Sequence, residues 1–318
     1  MEEPLVSISC ITYNHVNYIR ECIEGFLIQK TTFAFEVLIH DDASTDGTTK
    51  IIKEYEKKYP HIIKPIYESE NQWIKGKRGS AFFNYPRAKG KYIALCEGDD
   101  FWIDSLKLQK QVTFLEENKD YGLVHTDINY VDKFSNLIQN PVGLHTDIKK
   151  KIKNGCIFEL YLNSGGFILT ATSMFRKSLL DITGVQQWFV YDLWLFMDIA
   201  RKSKVYYIPE KTASYRRSPD GLMMSNRSFF KIYTPNILLD QIFRFYDKRH
   251  ATLQYYLDKP FVKKEIIICY TRLLLNVFNG ILKDKCKLII ILKHNPIFIL
   301  KIPYYALYIL LNKIVRKK

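Results

Sequence analysis

The chain has 318 residues, 47% of them hydrophobic and 25% charged, enough to bury a sizeable core in one large domain or one domain with an appendage. These proportions exclude a disordered chain. Lysine and arginine outnumber aspartate and glutamate by 47 to 33, and a formal charge of +14 points to an anionic partner: nucleic acid, a membrane surface or a phosphorylated substrate.

Leu5 to Ile11 alternates apolar and small residues as a strand does, and Thr12-Tyr13-Asn14-His15 is the polar turn after it. Asn17 is the expected cap of a helix that presents Ile19, Cys22, Ile23, Phe26 and Leu27 on one face. Glu36 to His40 predicts a second strand, ending in Asp41-Asp42-Ala43-Ser44-Thr45-Asp46-Gly47-Thr48, with Thr45 or Asp46 capping the next helix. Ile62 to Tyr67 predicts a third strand, which Pro65 assigns to a sheet edge.

A basic loop with Lys75, Lys77 and Arg78 leads to the apolar run Ile93-Ala94-Leu95-Cys96, which ends in Glu97-Gly98-Asp99-Asp100. Carboxylates packed this closely at the end of a buried strand repel one another. They suit a hard divalent ion that keeps waters and borrows ligands from a substrate phosphate. Asp104 is the expected cap of a helix carrying Leu108, Val112 and Leu115.

The second half is less regular. Gly122 to Tyr130, Phe167 to Phe175 and Val205 to Ile208 read as strands, Asn163 to Gly166 as a turn, and Tyr215-Arg216-Arg217-Ser218-Pro219-Asp220-Gly221 as a basic loop suited to phosphate. Asp192 interrupts the apolar run Trp188 to Met197, either as a helix cap or as a partly desolvated carboxylate fit for general-base work. From Phe229 the pattern turns helical and apolar. Lys283 to Lys318 holds nine lysines or arginines against one aspartate. Lys293, Pro296, Lys301 and Pro303 break it below the length of a spanning helix, so it is expected to lie on an anionic leaflet or to pack on the catalytic domain or a partner.

Zinc-finger spacing, RNA-binding aromatic motifs and basic helix-turn-helix patterns are lacking, which ranks nucleic acid last among the anionic partners. The six cysteines are scattered without a Cys-x-x-Cys pair and read as reduced core residues. The acidic start Met1-Glu2-Glu3-Pro4 carries no secretory pattern, so a cytoplasmic location is expected.

Strands alternating with helices predict an α/β fold, with a mostly parallel central sheet flanked by helices and ligands gathered at the carboxyl ends of the strands. The turns at Thr12 to His15, Asp41 to Thr48 and Glu97 to Asp100 then converge on one cleft. The expected division is a catalytic domain over 1–222, with halves of about 1–104 and 105–222, and a helical, basic extension over 223–318.

Ser7-Ile8-Ser9-Cys10-Ile11-Thr12-Tyr13-Asn14, Asp41 to Thr48, Ala88-Lys89-Gly90-Lys91-Tyr92-Ile93-Ala94 and Glu97-Gly98-Asp99-Asp100, in this order and at these spacings, resemble the family 2 glycosyltransferases of GT-A fold, of the bacterial surface-polysaccharide type. The likeness runs from about Leu5 to Gly221. It implies nucleoside contacts at Thr12, Tyr13 and Asp42, with Asn14 and Arg78 in the same nucleotide-sugar set. Asp99 and Asp100 would hold the ribose and a Mg2+ or Mn2+ ion, Arg216 and Arg217 the diphosphate, and Asp192 would be the catalytic base. Glu97 stands where the family usually has Asp, Tyr191 where relatives often place Glu or Gly, and Ser218 where many have His.

The resemblance thus implies a metal-dependent inverting transfer of a sugar from a nucleotide diphosphate to a hydroxyl of a surface glycan; the basic apolar tail adds the expectation of a lipid-linked acceptor at the cytoplasmic face of the inner membrane. Trp188, close to Asp192, is an acceptor-contact candidate. The competing readings are a sugar nucleotidyltransferase, disfavoured by the lack of Gly and Lys from Thr12 to Asn17, and a non-catalytic nucleotide-binding membrane scaffold.

Overall fold

Small and apolar side chains alternating from Val6 onward give a fully packed first strand, β1 (Val6–Thr12). In the computed structural model, which describes residues 3–139, 155, 157, 168–182 and 191–217, it is followed by α1 (Ile19–Leu27), β2 (Phe35–Asp41), α2 (Thr48–Lys58) and β3 (Ile63–Tyr67). A wide helical turn, Ser80–Asn84, runs into the short α3 (Tyr85–Arg87). Then come β4 (Tyr92–Leu95), β5 (Phe101–Trp102), α4 (Lys107–Glu117), β6 (Tyr121–Val131), β7 (Met174–Arg176), α5 (Tyr191–Lys202) and β8 (Lys204–Arg216). Met1–Gln186 with Tyr191–Pro219 form one compact unit and Gln187–Val190 with Asp220–Lys318 a second; all described residues belong to the first. Trp188, the turn at 163–166, Ser218 and the region 223–318 lie outside the described residues.

The described strands form one sheet in the order β3-β2-β1-β4-β7-β6-β8-β5. β3, β2, β1 and β4 are parallel, as the alternation of strands and helices predicts, with β3 at the edge that Pro65 marks. The other half is mixed. β7 lies antiparallel between β4 and β6, β8 runs parallel to β6, and β5 closes the far edge antiparallel to β8. Thr12, Asp42, Glu97 and Arg217 thus emerge at the carboxyl ends of β1, β2, β4 and β8.

Several local expectations shift. Asn17 does not cap α1; Tyr18 holds the cap position, without a side-chain hydrogen bond. Gly47, at a left-handed φ of 105°, begins α2, while the Asp46 carboxylate accepts the Thr48 N–H at 3.0 Å beside it. Leu106, not Asp104, precedes α4, and Asp104 accepts the Leu106 N–H at 2.9 Å. Phe167 to Phe175 is not one strand: Thr170–Thr172 winds into a 3-10 turn because the Thr172 amide and hydroxyl both donate to the Leu169 carbonyl. Arg216, expected in a loop, is the last residue of a 13-residue strand.

The core lies between the sheet and its helices. Cys22, Ile23 and Phe26 of α1 pack over Ile8 and Cys10, and the Phe26 ring meets Trp102 edge-on at 4.9 Å. Gly25 permits this approach, since a β-carbon there would stand 2.8 Å from the Trp102 nitrogen. Cys10, Cys22 and Cys96 are buried and free, as expected of reduced core thiols. Among the described residues no helix is long and apolar enough to cross a membrane.

One buried charge departs from these rules. The Lys107 ammonium donates to Gln111 Oε1 at 2.6 Å and lies 4.6 Å from the centre of the Trp102 ring. Burial pushes it down to about 7. Below that value both folded and unfolded states carry the proton, so the cost of burying the charge is fully present. As pH rises towards the ordinary lysine value, only the unfolded state holds the proton and stability increases. The Tm of the protein is therefore expected to rise between about pH 6 and about pH 9 by more than that of Lys107→Met, as followed by thermal melts of both.

Candidate active site

The site grows from the turn after β4. The Asp100 N–H bonds the Glu97 carbonyl at 3.1 Å, and the Gly98 N–H bonds the Ile11 carbonyl of β1 at 2.9 Å. Gly98 is required by this closeness: a β-carbon would fall 2.6 Å from Thr12 Oγ1. Cys22 Sγ of α1 backs the turn, donating to the Glu97 carbonyl at 3.4 Å.

Asp100 is 2% exposed. Burial pushes its carboxyl well above the usual range, Asp99 and Glu97 push the same way, and the Arg216 N–H opposes them. That N–H reaches Asp100 Oδ1 at 2.8 Å. Burial, then the charges of Asp99 and Asp192, push Glu97 up to about 8, although the Thr170 hydroxyl donates to its carboxylate.

Asp192, in the first turn of α5, comes to the same place from almost a hundred residues away. Burial and the charges of Asp100, Asp99, Glu97 and Asp192 all push the Tyr215 phenol up. The charges of four acids from two elements are thus felt at one tyrosine. The buried Tyr85 of α3 feels Glu97 and Asp192 as well, after burial itself and Tyr191.

The β1 and β2 turns form the adjoining wall. Asn14, at φ 54°, accepts the Thr45 N–H at 2.8 Å and donates its own N–H to Ser44 Oγ at 2.9 Å, so it braces one turn against the other. Tyr13 stands out from this brace, 44% exposed. Asp42 is buried, and its carboxylate accepts the N–H groups of Gln72 at 2.6 Å and Trp73 at 3.1 Å. It thereby positions the basic loop, where the Arg78 guanidinium lies over the Trp73 ring at 4.0 Å.

Arg216 is placed differently from the sequence-based expectation of a diphosphate contact. Its guanidinium is buried under Tyr18 and Phe101 and donates to the Asp99 carbonyl at 2.9 Å, the Asp132 carbonyl at 3.1 Å, Ser135 Oγ at 3.0 Å and Glu21 Oε2 at 2.6 Å. It clamps the acidic turn from behind. Arg217, half-buried at the end of β8, donates its backbone N–H to the Val131 carbonyl at 2.8 Å.

Glu21, Thr170 and Tyr85 are residues that sequence reasoning missed, while Tyr215, expected in a basic loop, lies in β8. Glu21 lies in the first turn of α1 outside any motif, and no motif spacing ties Thr170 to Glu97. Among the described residues, no group of three or more His, Cys, Asp or Glu could hold a metal ion alone. The acidic turn fits an ion that takes one or two carboxylates and completes its shell with water and phosphate oxygens.

The sheet and its flanking helices are of the GT-A type. The model of the family described as "Glycosyl transferase family 2" matches residues 7–182, more than half of the chain, and the chain belongs to that family. An uncharacterized protein of Mycobacterium tuberculosis is 34% identical over 224 residues, which are 69% of this chain and 61% of the relative. The chain thus spans about three fifths of the length of the first curated relatives it matches. An Escherichia coli UDP-Glc:alpha-D-GlcNAc-diphosphoundecaprenol beta-1,3-glucosyltransferase is 36% identical over 115 residues, 36% of this chain and 43% of the relative. Among solved structures, a mannosyltransferase from Pyrobaculum calidifontis in complex with GDP-Man and Mn2+ is similar in fold, with a TM-score of 0.56 and 16% identity over 77% of this chain and 65% of that one.

Shortening the clamp is expected to loosen the turn. Arg216→Lys should cost about 2 kcal/mol, a fall of roughly 4–8 °C in Tm, because the buried carbonyls and Glu21 lose their donors. It should also weaken nucleotide binding, whereas Arg217→Lys should leave Tm within about 1 °C. Calorimetry of both variants checks this.

Proposed function

We propose that this protein is an inverting glycosyltransferase that moves a sugar from a nucleotide diphosphate to a hydroxyl of a glycan or lipid-linked acceptor in surface-polysaccharide synthesis. The observation that carries the reading is the turn Glu97-Gly98-Asp99-Asp100, which Arg216 holds at the carboxyl end of β4, with the charge of Asp192 felt at Glu97. Membership of family 2 and the activity in the name of the E. coli relative support it.

Asp42 has two lone pairs occupied by backbone N–H groups and keeps capacity to accept from a base N–H. Thr12 and Tyr13 line the same nucleoside pocket, with Asn14 holding its turn. Arg78, whose guanidinium rests on Trp73, brings positive charge to the nucleotide. Asp99 and Asp100 are the ligands for a divalent ion; burial and crowding disfavour the ionised Asp100 carboxylate, and a cation would offset that cost. A bound Mg2+ or Mn2+ supplies positive charge to the departing diphosphate. Arg217 adds to it from the end of β8.

Asp192 accepts the proton of the acceptor hydroxyl as its oxygen attacks the anomeric carbon. The bond from that carbon to the diphosphate breaks on the opposite face, which inverts the centre. Glu97, held by Thr170 and crowded by Asp192, shapes the sugar side rather than serving as a second base. The basic tail and the +14 charge support work at the cytoplasmic face of a membrane.

A screen of UDP-, GDP- and dTDP-sugars for hydrolysis in the presence and absence of EDTA tests the reading. One donor should be hydrolysed, only with metal. Asp192→Asn should retain donor binding and lose about 10²- to 10⁴-fold in kcat. Unchanged turnover in that variant would remove Asp192 as the base.

A further inference from the structure

The turn after β6 displays apolar side chains on an unusually well-pinned frame. The Asp132 carboxylate accepts the N–H groups of Phe134 at 2.8 Å and Asn136 at 3.0 Å, and the Asn136 side-chain amide at 3.2 Å. Asp132 N–H returns to the Asn136 carbonyl at 2.9 Å, Ile138 N–H to the Tyr130 carbonyl at 2.9 Å, and Val131 bridges Leu137. Ser135 takes a left-handed φ of 66°, and its hydroxyl joins Glu21 at 2.9 Å and Arg216 at 3.0 Å. Yet Phe134 is 72% and Leu137 71% exposed, with Ile138 beside them.

A flexible loop with scattered apolar residues would need no explanation. A tight turn that spends its polar groups on itself and keeps Phe134 and Leu137 in water calls for an apolar partner. Its place identifies the partner. The turn rests on Arg216, which also holds the Asp99 carbonyl, so the tip stands at the sheet edge that carries the acidic turn. Lys133 lies 4.9 Å from the centre of the Phe134 ring, adding a cation next to the apolar tip in a chain of net charge +14.

We propose that the turn Asp132–Ile138 docks the catalytic unit on an anionic lipid bilayer. Phe134 and Leu137 enter the boundary between headgroups and acyl chains, and Lys133 meets lipid phosphates. The carboxyl edge of the sheet then faces the surface where a lipid-linked acceptor presents its hydroxyl. This rests on the membrane-surface reading above and assigns it to the catalytic unit as well as to the basic tail.

The test uses the full chain with vesicles of phosphatidylcholine and phosphatidylglycerol. Phe134→Ser/Leu137→Ser should lower partitioning at least about tenfold, leaving Tm and donor hydrolysis unchanged. Phe134→Trp should gain emission quenched by brominated acyl chains beyond that of the wild type. Unchanged partitioning of the double variant would overturn the proposal and leave the attraction to other segments. A large fall in Tm would overturn it too, by showing these side chains packed on the chain itself, as would loss of a self-association that vesicles do not affect. Absence of donor hydrolysis in the wild type would instead count against the proposed activity and leave the vesicle result standing.

Discussion

The ionic and hydrogen-bonded clamp at Arg216 is the constraint on which the site depends. An acidic turn packed beneath other elements is self-repelling, and burial raises the cost of each charge. Arg216 counters this from below: its backbone N–H takes an Asp100 oxygen, its guanidinium takes the Asp99 carbonyl, and Glu21 balances its charge. The acidic turn is thereby held at the carboxyl end of β4. The guanidinium is committed to this task by four hydrogen bonds within the fold.

The same clamp joins parts of the chain that have no local reason to meet. Glu21 belongs to α1, the Asp99–Asp100 pair follows β4, Ser135 belongs to the turn after β6, and Arg216 ends β8. A displacement of any one is felt at the acids through fixed donors and acceptors rather than through soft packing. The apolar tip of the β6 turn and the acidic turn therefore share a base.

Local pattern and tertiary context divided the fold unevenly. The parallel half was legible because each of β1, β2 and β4 is a buried strand ending in a distinct polar turn, and α1 and α2 keep a clean helical face. The mixed half was not. β5 is two residues long, β7 three, and β8 was readable only over Val205 to Ile208, since the exposed Pro209-Glu210-Lys211 interrupts its pattern and the largely buried stretch Thr212 to Arg216 is mostly polar. Cap positions moved for a similar reason: side chains suited to capping, such as Asp46 and Asp104, bond a residue or two away from the position that propensity assigns.

By itself the sequence determined the alternating α/β plan, the reduced core cysteines, and the motifs at Thr12, Asp42 and Glu97 to Asp100 that mark the family. These are short-range features, carried by periodicity and by residue types in fixed order. Only the tertiary structure decided that the charge of Asp192 is felt at Tyr215 and Glu97, that Thr170 holds Glu97, that Asn14 and Asp42 brace neighbouring turns, and that Arg216 is a buried clamp. Those facts depend on which strands become neighbours in the sheet. Strand order is set by packing over the whole domain, so it leaves no mark in the spacing of any one motif.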